Sequence, residues 1–139
     1  SVVVTFGTYD LFHIGHLNIL QRAAEMGRLV VGVSTDQFNW TKKQRLPVIP
    51  YKDRASIVGG MACVSEVFPE ESMELKRKYL ERLNASILVM GDDWEGKFDD
   101  LSDICKVIYL PRIENISTTL LKQIIESNDV IDLQSRIKT

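Results

Sequence analysis

Cysteine and histidine are both scarce in this chain, two of each among 139 residues. Cys63 and Cys105 sit in separate apolar runs, without the close spacing that a zinc site or a redox motif needs. They read as buried thiols, and neither a disulfide framework nor a cysteine-held metal is expected. Charge of either sign is not in excess: Lys plus Arg number 17 against 19 Asp plus Glu, a net charge of −2. That balance argues against a protein that coats nucleic acid or an anionic membrane. No run approaches the roughly 18 apolar residues of a membrane span, and no basic, apolar leader pattern opens the chain, so a cytoplasmic protein is expected. The first residue is Ser1 rather than Met, which leaves a processed or trimmed start open. Repeats and low-complexity segments are missing too. The length suits a single domain over 1–139, with a polar, peripheral tail from about residue 128.

Local charge is more telling than the total. Residues 42–54 carry Lys42, Lys43, Arg45, Lys52 and Arg54 against one acid, Asp53, whereas 66–74 and 92–103 are acidic. A short basic segment in a mildly acidic chain suits a small polyanion.

Apolar, β-branched runs alternate with helical patterns, the rhythm of an α/β domain in which a parallel sheet is flanked by helices. Strands are expected at 2–6, 29–34, 64–67, 87–90 and 107–110. Helices are expected at 15–26, 52–61 and 73–83, with a basic loop running from the second strand to Pro50. A final helix over 120–125 follows the hydroxyl residues Ser117, Thr118 and Thr119, one of which would cap it. The strands are apolar throughout rather than alternating, which predicts burial on both faces. Ligands of such sheets bind beyond the carboxyl ends of the strands, so the loops at Gly7, Asp36, Gly91 and Arg112 should converge on one crevice.

Both histidines fall in one motif, His13-Ile14-Gly15-His16, just after a predicted strand and the turn Gly7-Thr8-Tyr9-Asp10. A strand that feeds a helix through a glycine turn gathers backbone N–H groups and the positive end of the helix dipole at its tip, which is a seat for phosphate. Imidazoles three residues apart at a helix start share a face, and Gly15 between them allows close approach of a ligand. In nucleotidyl transfer a nucleophile attacks the α-phosphorus of a nucleoside triphosphate, and the protein aligns the groups and neutralises charge developing on phosphoryl oxygens. Two imidazole donors suit that task, each worth about 3 kcal/mol in the transition state.

The chain resembles the cytidylyltransferases that share a His-x-Gly-His motif and, among them, the glycerol-3-phosphate cytidylyltransferases. The resemblance runs from Val2 to about Glu126 and rests on four blocks. These are Gly7 through His16, Ser34-Thr35-Asp36-Gln37-Phe38-Asn39, Met90-Gly91-Asp92-Asp93-Trp94-Glu95-Gly96-Lys97-Phe98-Asp99, and Arg112-Ile113-Glu114-Asn115-Ile116-Ser117-Thr118-Thr119. It implies a Rossmann-like nucleotidyltransferase fold that transfers CMP from CTP to glycerol-3-phosphate or a related polyol phosphate, giving a CDP-alcohol and pyrophosphate. It implies Mg²⁺ carried on the CTP phosphates, a homodimer, and a product used for teichoic-acid or capsular polymers.

By that resemblance His13, His16, Lys42 and Arg112 are the catalytic set. Gly7, Thr8, Tyr9, Asp10, Ile14 and Gly15 would line the nucleotide on the first turn. Asp93, Trp94, Ile113, Glu114, Asn115, Ile116, Ser117, Thr118 and Thr119 would line it on the other side. Lys42, Arg54 and Lys76 would hold the acceptor, although Arg54 has an equally good reading as a structural ion pair. Asp10 and Asp93 have three candidate roles: a magnesium contact, a hydroxyl contact, or the orientation of a cation. Trp94 is placed either against the cytosine or in the core.

Most departures from the family pattern fall outside the residues that would line the nucleotide, with Ile113 and Asn115 the exceptions. Its Arg-Tyr-Val-Asp-Glu-Val segment is Ala62-Cys63-Val64-Ser65-Glu66-Val67 here, which removes a cation and an anion together. A tryptophan is replaced by Met73, a basic-loop lysine by Gln44, and the Thr and Gly of the last motif by Ile113 and Asn115. Two other functions remain open on the sequence: adenylyl transfer on the same fold, of the FAD or pantetheine-phosphate type, and a non-catalytic nucleotide-sensing module.

Overall fold

The computed structural model describes residues 1–112 and 118–127. Five strands form one parallel sheet in the order β3-β2-β1-β4-β5: β1 (Val2–Gly7), β2 (Arg28–Ser34), β3 (Glu66–Glu70), β4 (Ile87–Gly91) and β5 (Lys106–Leu110). The helices are α1 (Ile14–Ala24), α2 (Asp36–Lys43), α3 (Tyr51–Gly59), α4 (Lys76–Arg82) and α5 (Thr118–Ser127). None of the described helices is long and apolar enough to cross a membrane.

Successive residues of the inner strands feed two separate cores. Val3 and Val31 join Leu20, Ala23 and Val58 on one face. Val4 and Val30 join Tyr79, Leu80 and Leu88 on the other. Because both faces are covered, β1 and β2 need no polar alternation, and their apolar runs follow. Gly32 matters on the second face: a Cβ there would lie 2.6 Å from the Phe6 ring and 2.8 Å from that of Phe68. Its absence lets these rings meet edge to face at 5.8 Å.

Three expectations need correction. The stretch after Ser34 is not loop as far as Pro50, because α2 occupies Asp36–Lys43. Its start was written in the chain: the Thr35 side chain accepts a hydrogen bond from the Phe38 amide, and Asp36 sits in the first turn. The third strand runs over Glu66–Glu70 rather than 64–67, through Pro69. A proline is tolerated there because β3 is an edge strand and needs no amide on its outer side. The helix expected at 73–83 begins as a 3₁₀ turn, Met73–Leu75, before α4. Both cysteines are free; Cys105 is buried and Cys63 half-buried.

The chain leaves β1 toward β2 and leaves β4 toward β5, while β1 and β4 are neighbours. The order therefore reverses between them, which opens a crevice beyond their carboxyl ends.

Candidate active site

A cavity of about 650 Å³ occupies that crevice. Its first wall is the turn after β1. Tyr9 and Leu11 both take positive φ there, 56° and 48°. A Cβ on Gly7 would lie 2.9 Å from the Tyr9 ring, so only glycine lets that ring fold back over the strand end. Tyr9 is buried against Phe12 and His16, and burial pushes its hydroxyl pKa up.

The two histidines cap α1 reciprocally. His13 Nδ1 accepts from the Gly15 amide at 3.0 Å, and His16 Nδ1 accepts from the His13 amide at 3.2 Å. An imidazole that accepts at Nδ1 carries its proton at Nε2 when neutral. The stacked rings, 3.9 Å apart, thus each offer an Nε2–H donor. Burial, reinforced by Arg112, lowers the His13 pKa. Burial and then His13 bring that of His16 down to about 3, so the pair is neutral near pH 7.

Helix α5 docks on this turn through two side chains. The Thr118 hydroxyl donates to the Asp10 carbonyl at 2.8 Å and lies 3.4 Å from His13 Nε2. Lys122, one turn later, pairs with the Asp10 carboxylate at 3.2 Å. The same carboxylate accepts from the Val48 and Ile49 amides at 2.8 and 2.9 Å. Burial alone would raise its pKa, but the two amides and Lys122 outweigh it and hold the group below the usual carboxylate range. Of the roles open to Asp10, this arrangement supports the orientation of a cation. Both oxygens accept an amide hydrogen bond, and one of them also meets Lys122.

Arg54 requires a correction: it does not reach the cavity. Its side chain is fully buried and hydrogen-bonds to the carbonyls of Ile49 (2.8 Å) and Thr8 (2.7 Å) and to Asp36 Oδ1 (2.8 Å). The desolvation cost of a buried guanidinium is offset only by such complete partnering. Arg54 therefore ties α3 to the Thr8 turn from beneath and is not a substrate contact. Thr8 is fixed from the cavity side as well: its hydroxyl donates to Asn39 Oδ1 at 3.1 Å and accepts from Ser34 at 3.0 Å.

The facing wall comes from β4 and β5. Arg112 donates to Asp93 Oδ2 at 2.5 Å, both side chains half-exposed. A Cβ on Gly91 would lie 2.7 Å from Asp93 Oδ1, so glycine here lets that carboxylate fold back over the strand end. Asp93, like Asp10, is ion-paired with a cation of the cavity lining. Trp94 lines the cavity and packs on Phe98 with ring centroids 5.4 Å apart.

Beyond β2 and β3 lies a third group. Lys76 is 5% exposed and ion-paired with Glu70, itself 2% exposed. The Lys76 ammonium sits 4.4 Å from the Phe6 ring centre and 5.4 Å from that of Phe98. Lys42 lies over Phe38 at 4.6 Å. Burial lowers the pKa of both lysines and raises that of Glu70.

The structure thus brings Gly7, Thr8, Tyr9, Asp10, His13, Gly15, His16, Lys42, Lys76, Asp93, Trp94, Arg112, Thr118 and Thr119 to one cavity. Ile14, 57% exposed on the outside of α1, is not part of its lining. Ile113, Glu114, Asn115, Ile116 and Ser117 lie outside the described residues. Sequence reasoning missed Asn39, Glu70 and Lys122 as cavity residues. A signal existed for two of them: Asn39 and Lys122 each fall four residues after a hydroxyl at a helix start, Thr35 and Thr118, hence on its face. Among the described residues no group of three or more His, Cys, Asp or Glu side chains is placed to hold a metal ion.

Comparison with known proteins agrees with this geometry. The family model described as cytidylyltransferase-like matches residues 4–124. A glycerol-3-phosphate cytidylyltransferase of Bacillus subtilis is 48% identical over 122 residues, covering 87% of this chain and 94% of the relative. Another, from Staphylococcus aureus, is 44% identical over 128 residues, covering 91% and 96%. Among solved structures, a lipopolysaccharide core biosynthesis protein from Thermoplasma volcanium superposes with a TM-score of 0.68 at 18% identity, covering 81% of this chain and 98% of that one, which is a likeness of fold. With 121 residues under one family model and close relatives over nearly their full length, the chain belongs to the cytidylyltransferase-like family.

Proposed function

We propose that this chain is a CTP-dependent cytidylyltransferase that transfers CMP to glycerol-3-phosphate or a related polyol phosphate. The observation that carries the reading is the pair of Nε2–H donors on one wall of a cavity whose other walls present Arg112 and the two lysines, Lys42 and Lys76.

An acceptor phosphate oxygen attacks the α-phosphorus, a new P–O bond forms, and the bond to the β-phosphate bridging oxygen breaks as pyrophosphate leaves. A phosphate monoester is already largely ionised near neutral pH, so no general base is required. His13 and His16, neutral and with Nδ1 occupied, hydrogen-bond to the α-phosphoryl oxygens as negative charge grows on them. Arg112, oriented by Asp93, holds the pyrophosphate end together with the start of α5. Lys42 and Lys76 place the acceptor in line. Mg²⁺ belongs to this scheme as part of the substrate, carried on the triphosphate oxygens.

Use of CTP puts the reaction in the cytoplasm, and a CDP-glycerol product suits the assembly of glycerol-phosphate polymers of the teichoic-acid or capsular kind. A homodimer completes the reading, as the family resemblance implies. The test is pyrophosphate release with CTP or ATP across glycerol, ribitol, choline and ethanolamine phosphates. CTP with a polyol phosphate is expected to lead, and His16→Ala to bind CTP while turning over at least a hundredfold more slowly. Preference for ATP overturns the reading in favour of adenylyl transfer. CTP binding without product from any acceptor overturns it in favour of a sensing module.

A further inference from the structure

The mechanism above uses Lys76 but not the carboxylate bound to it. Glu70 closes β3, two strands from β1 and at the same end of the sheet as the histidine turn. Its backbone carbonyl accepts from the Thr35 amide at 3.0 Å, which fixes the strand end against the cap of α2. One carboxylate oxygen, Oε2, takes Lys76. No donor among the described residues hydrogen-bonds to the other, and the residue lines the cavity. A cavity-lining carboxylate with a spare acceptor position can be completed by a ligand hydroxyl or a water.

We propose that Glu70 selects the acceptor by receiving a hydrogen bond from an alcohol hydroxyl at Oε1, while Lys76, held by Oε2, meets the acceptor phosphate. The inference rests on the cytidylyltransferase reading and narrows its substrate. Two features favour a hydroxyl over an ammonium group. Lys42 and Lys76 line the same cavity, so a cationic head group would meet two like charges beside one carboxylate that is already paired. The Phe6 ring, an aromatic face beside Glu70 in the cavity, is already covered by the Lys76 ammonium and so does not offer itself to a methylated ammonium. A polyol phosphate meets neither obstacle.

The experiment compares glycerol-3-phosphate with n-propyl phosphate, the same phosphate ester without its two hydroxyls, in the wild type, Glu70→Gln and Lys42→Met. Wild-type kcat/KM is expected to favour glycerol-3-phosphate by at least tenfold, the size of a hydrogen bond to a charged group. Glu70→Gln shrinks that ratio severalfold, mainly through the KM of the acceptor, and leaves the KM of CTP in place. Lys42→Met weakens both acceptors and leaves the ratio unchanged. Equal use of the two esters by the wild type overturns the proposal even if Glu70→Gln does not fold. So does an undiminished ratio in folded Glu70→Gln, or a wild-type preference for choline or ethanolamine phosphate. CMP transfer without hydroxyl preference removes only the role of Glu70, whereas no transfer to any alcohol phosphate removes the function on which it rests.

Discussion

His16 gives up one ring nitrogen to the His13 amide and is pressed between Tyr9, Phe12 and His13, and the consequence reaches beyond catalysis. Its pKa falls from 6.5 to about 3 on folding, mainly because burial disfavours the cation. Between those values the unfolded chain holds a proton that the folded chain does not, so stability falls as pH drops from about 6.5 toward 3. His13 acts in the same direction, and Asp10 adds its own loss only below its unfolded value of 3.8. Urea midpoints at pH 7 and pH 5 are expected to differ clearly in the wild type and less in His16→Gln; an equal difference in both would reject the assignment. Arg54 offers a second residue-level test. Arg54→Met leaves Asp36 and two carbonyls without their partner, at a cost of about 3 kcal/mol in a urea titration. Cation function divides sharply in what the sequence made visible. The histidines and Arg112 were legible because local spacing puts them at strand ends. Arg54 was half legible: the structural ion pair was one of its two readings, but nothing within a few residues of it says that the Thr8 carbonyl, 46 positions away, will lie over its guanidinium.

Elements were legible where a single pattern decided them. Strands β1, β2 and β4 announced themselves as continuous apolar runs because each is covered on both faces. Helix α2 was masked by its charge: its last turn carries Lys42 and Lys43, and they suggested a solvated loop more loudly than the Thr35 cap suggested a helix. The edge position that lets β3 pass through Pro69 is a property of sheet order, which local sequence does not carry. Order in the sheet also explains why Asp10 matters to whole elements. Its carboxylate joins the residue 48–49 backbone ahead of α3 to Lys122 of α5, so the α2–α3 connection and α5 share one anchor beside the histidines. Lys122→Met removes the cation and leaves the amide contacts. Trypsin is expected to cut at Lys43 and Arg45 several times faster than in the wild type, and the KM of CTP to rise severalfold, with Lys122→Arg restoring both. Unchanged cleavage would show that α5 and this connection are independent.

At the scale of the whole molecule, charge is divided in a way the net value of −2 conceals. The cavity is lined by Lys42, Lys43, Arg45, Lys76, Arg112 and Lys122, whereas Glu74, Asp99, Asp100 and Asp103 lie outside that lining. Of the four lining acids, Asp10, Glu70 and Asp93 are each paired with one of these cations, and Glu126 is the fourth. The remaining positive charge, on Lys42, Lys43 and Arg45, belongs to the α2 end and the residues after it, on the side where the acceptor would enter. A concave, basic mouth in a mildly acidic protein raises the local concentration of two polyanionic substrates, and this attraction is the part of binding that salt screens. The paired groups deeper in the cavity are screened much less. Raising NaCl from about 0.05 M to about 0.5 M shortens the Debye length from roughly 14 to roughly 4 Å. The kcat/KM for both CTP and the acceptor is therefore expected to fall severalfold over that range while kcat stays nearly constant. Replacing Lys43 and Arg45 together by glutamine should flatten the dependence for the acceptor more than for CTP. A salt-insensitive kcat/KM, or a fall carried by kcat, would place the working charges in the buried pairs instead of at the mouth.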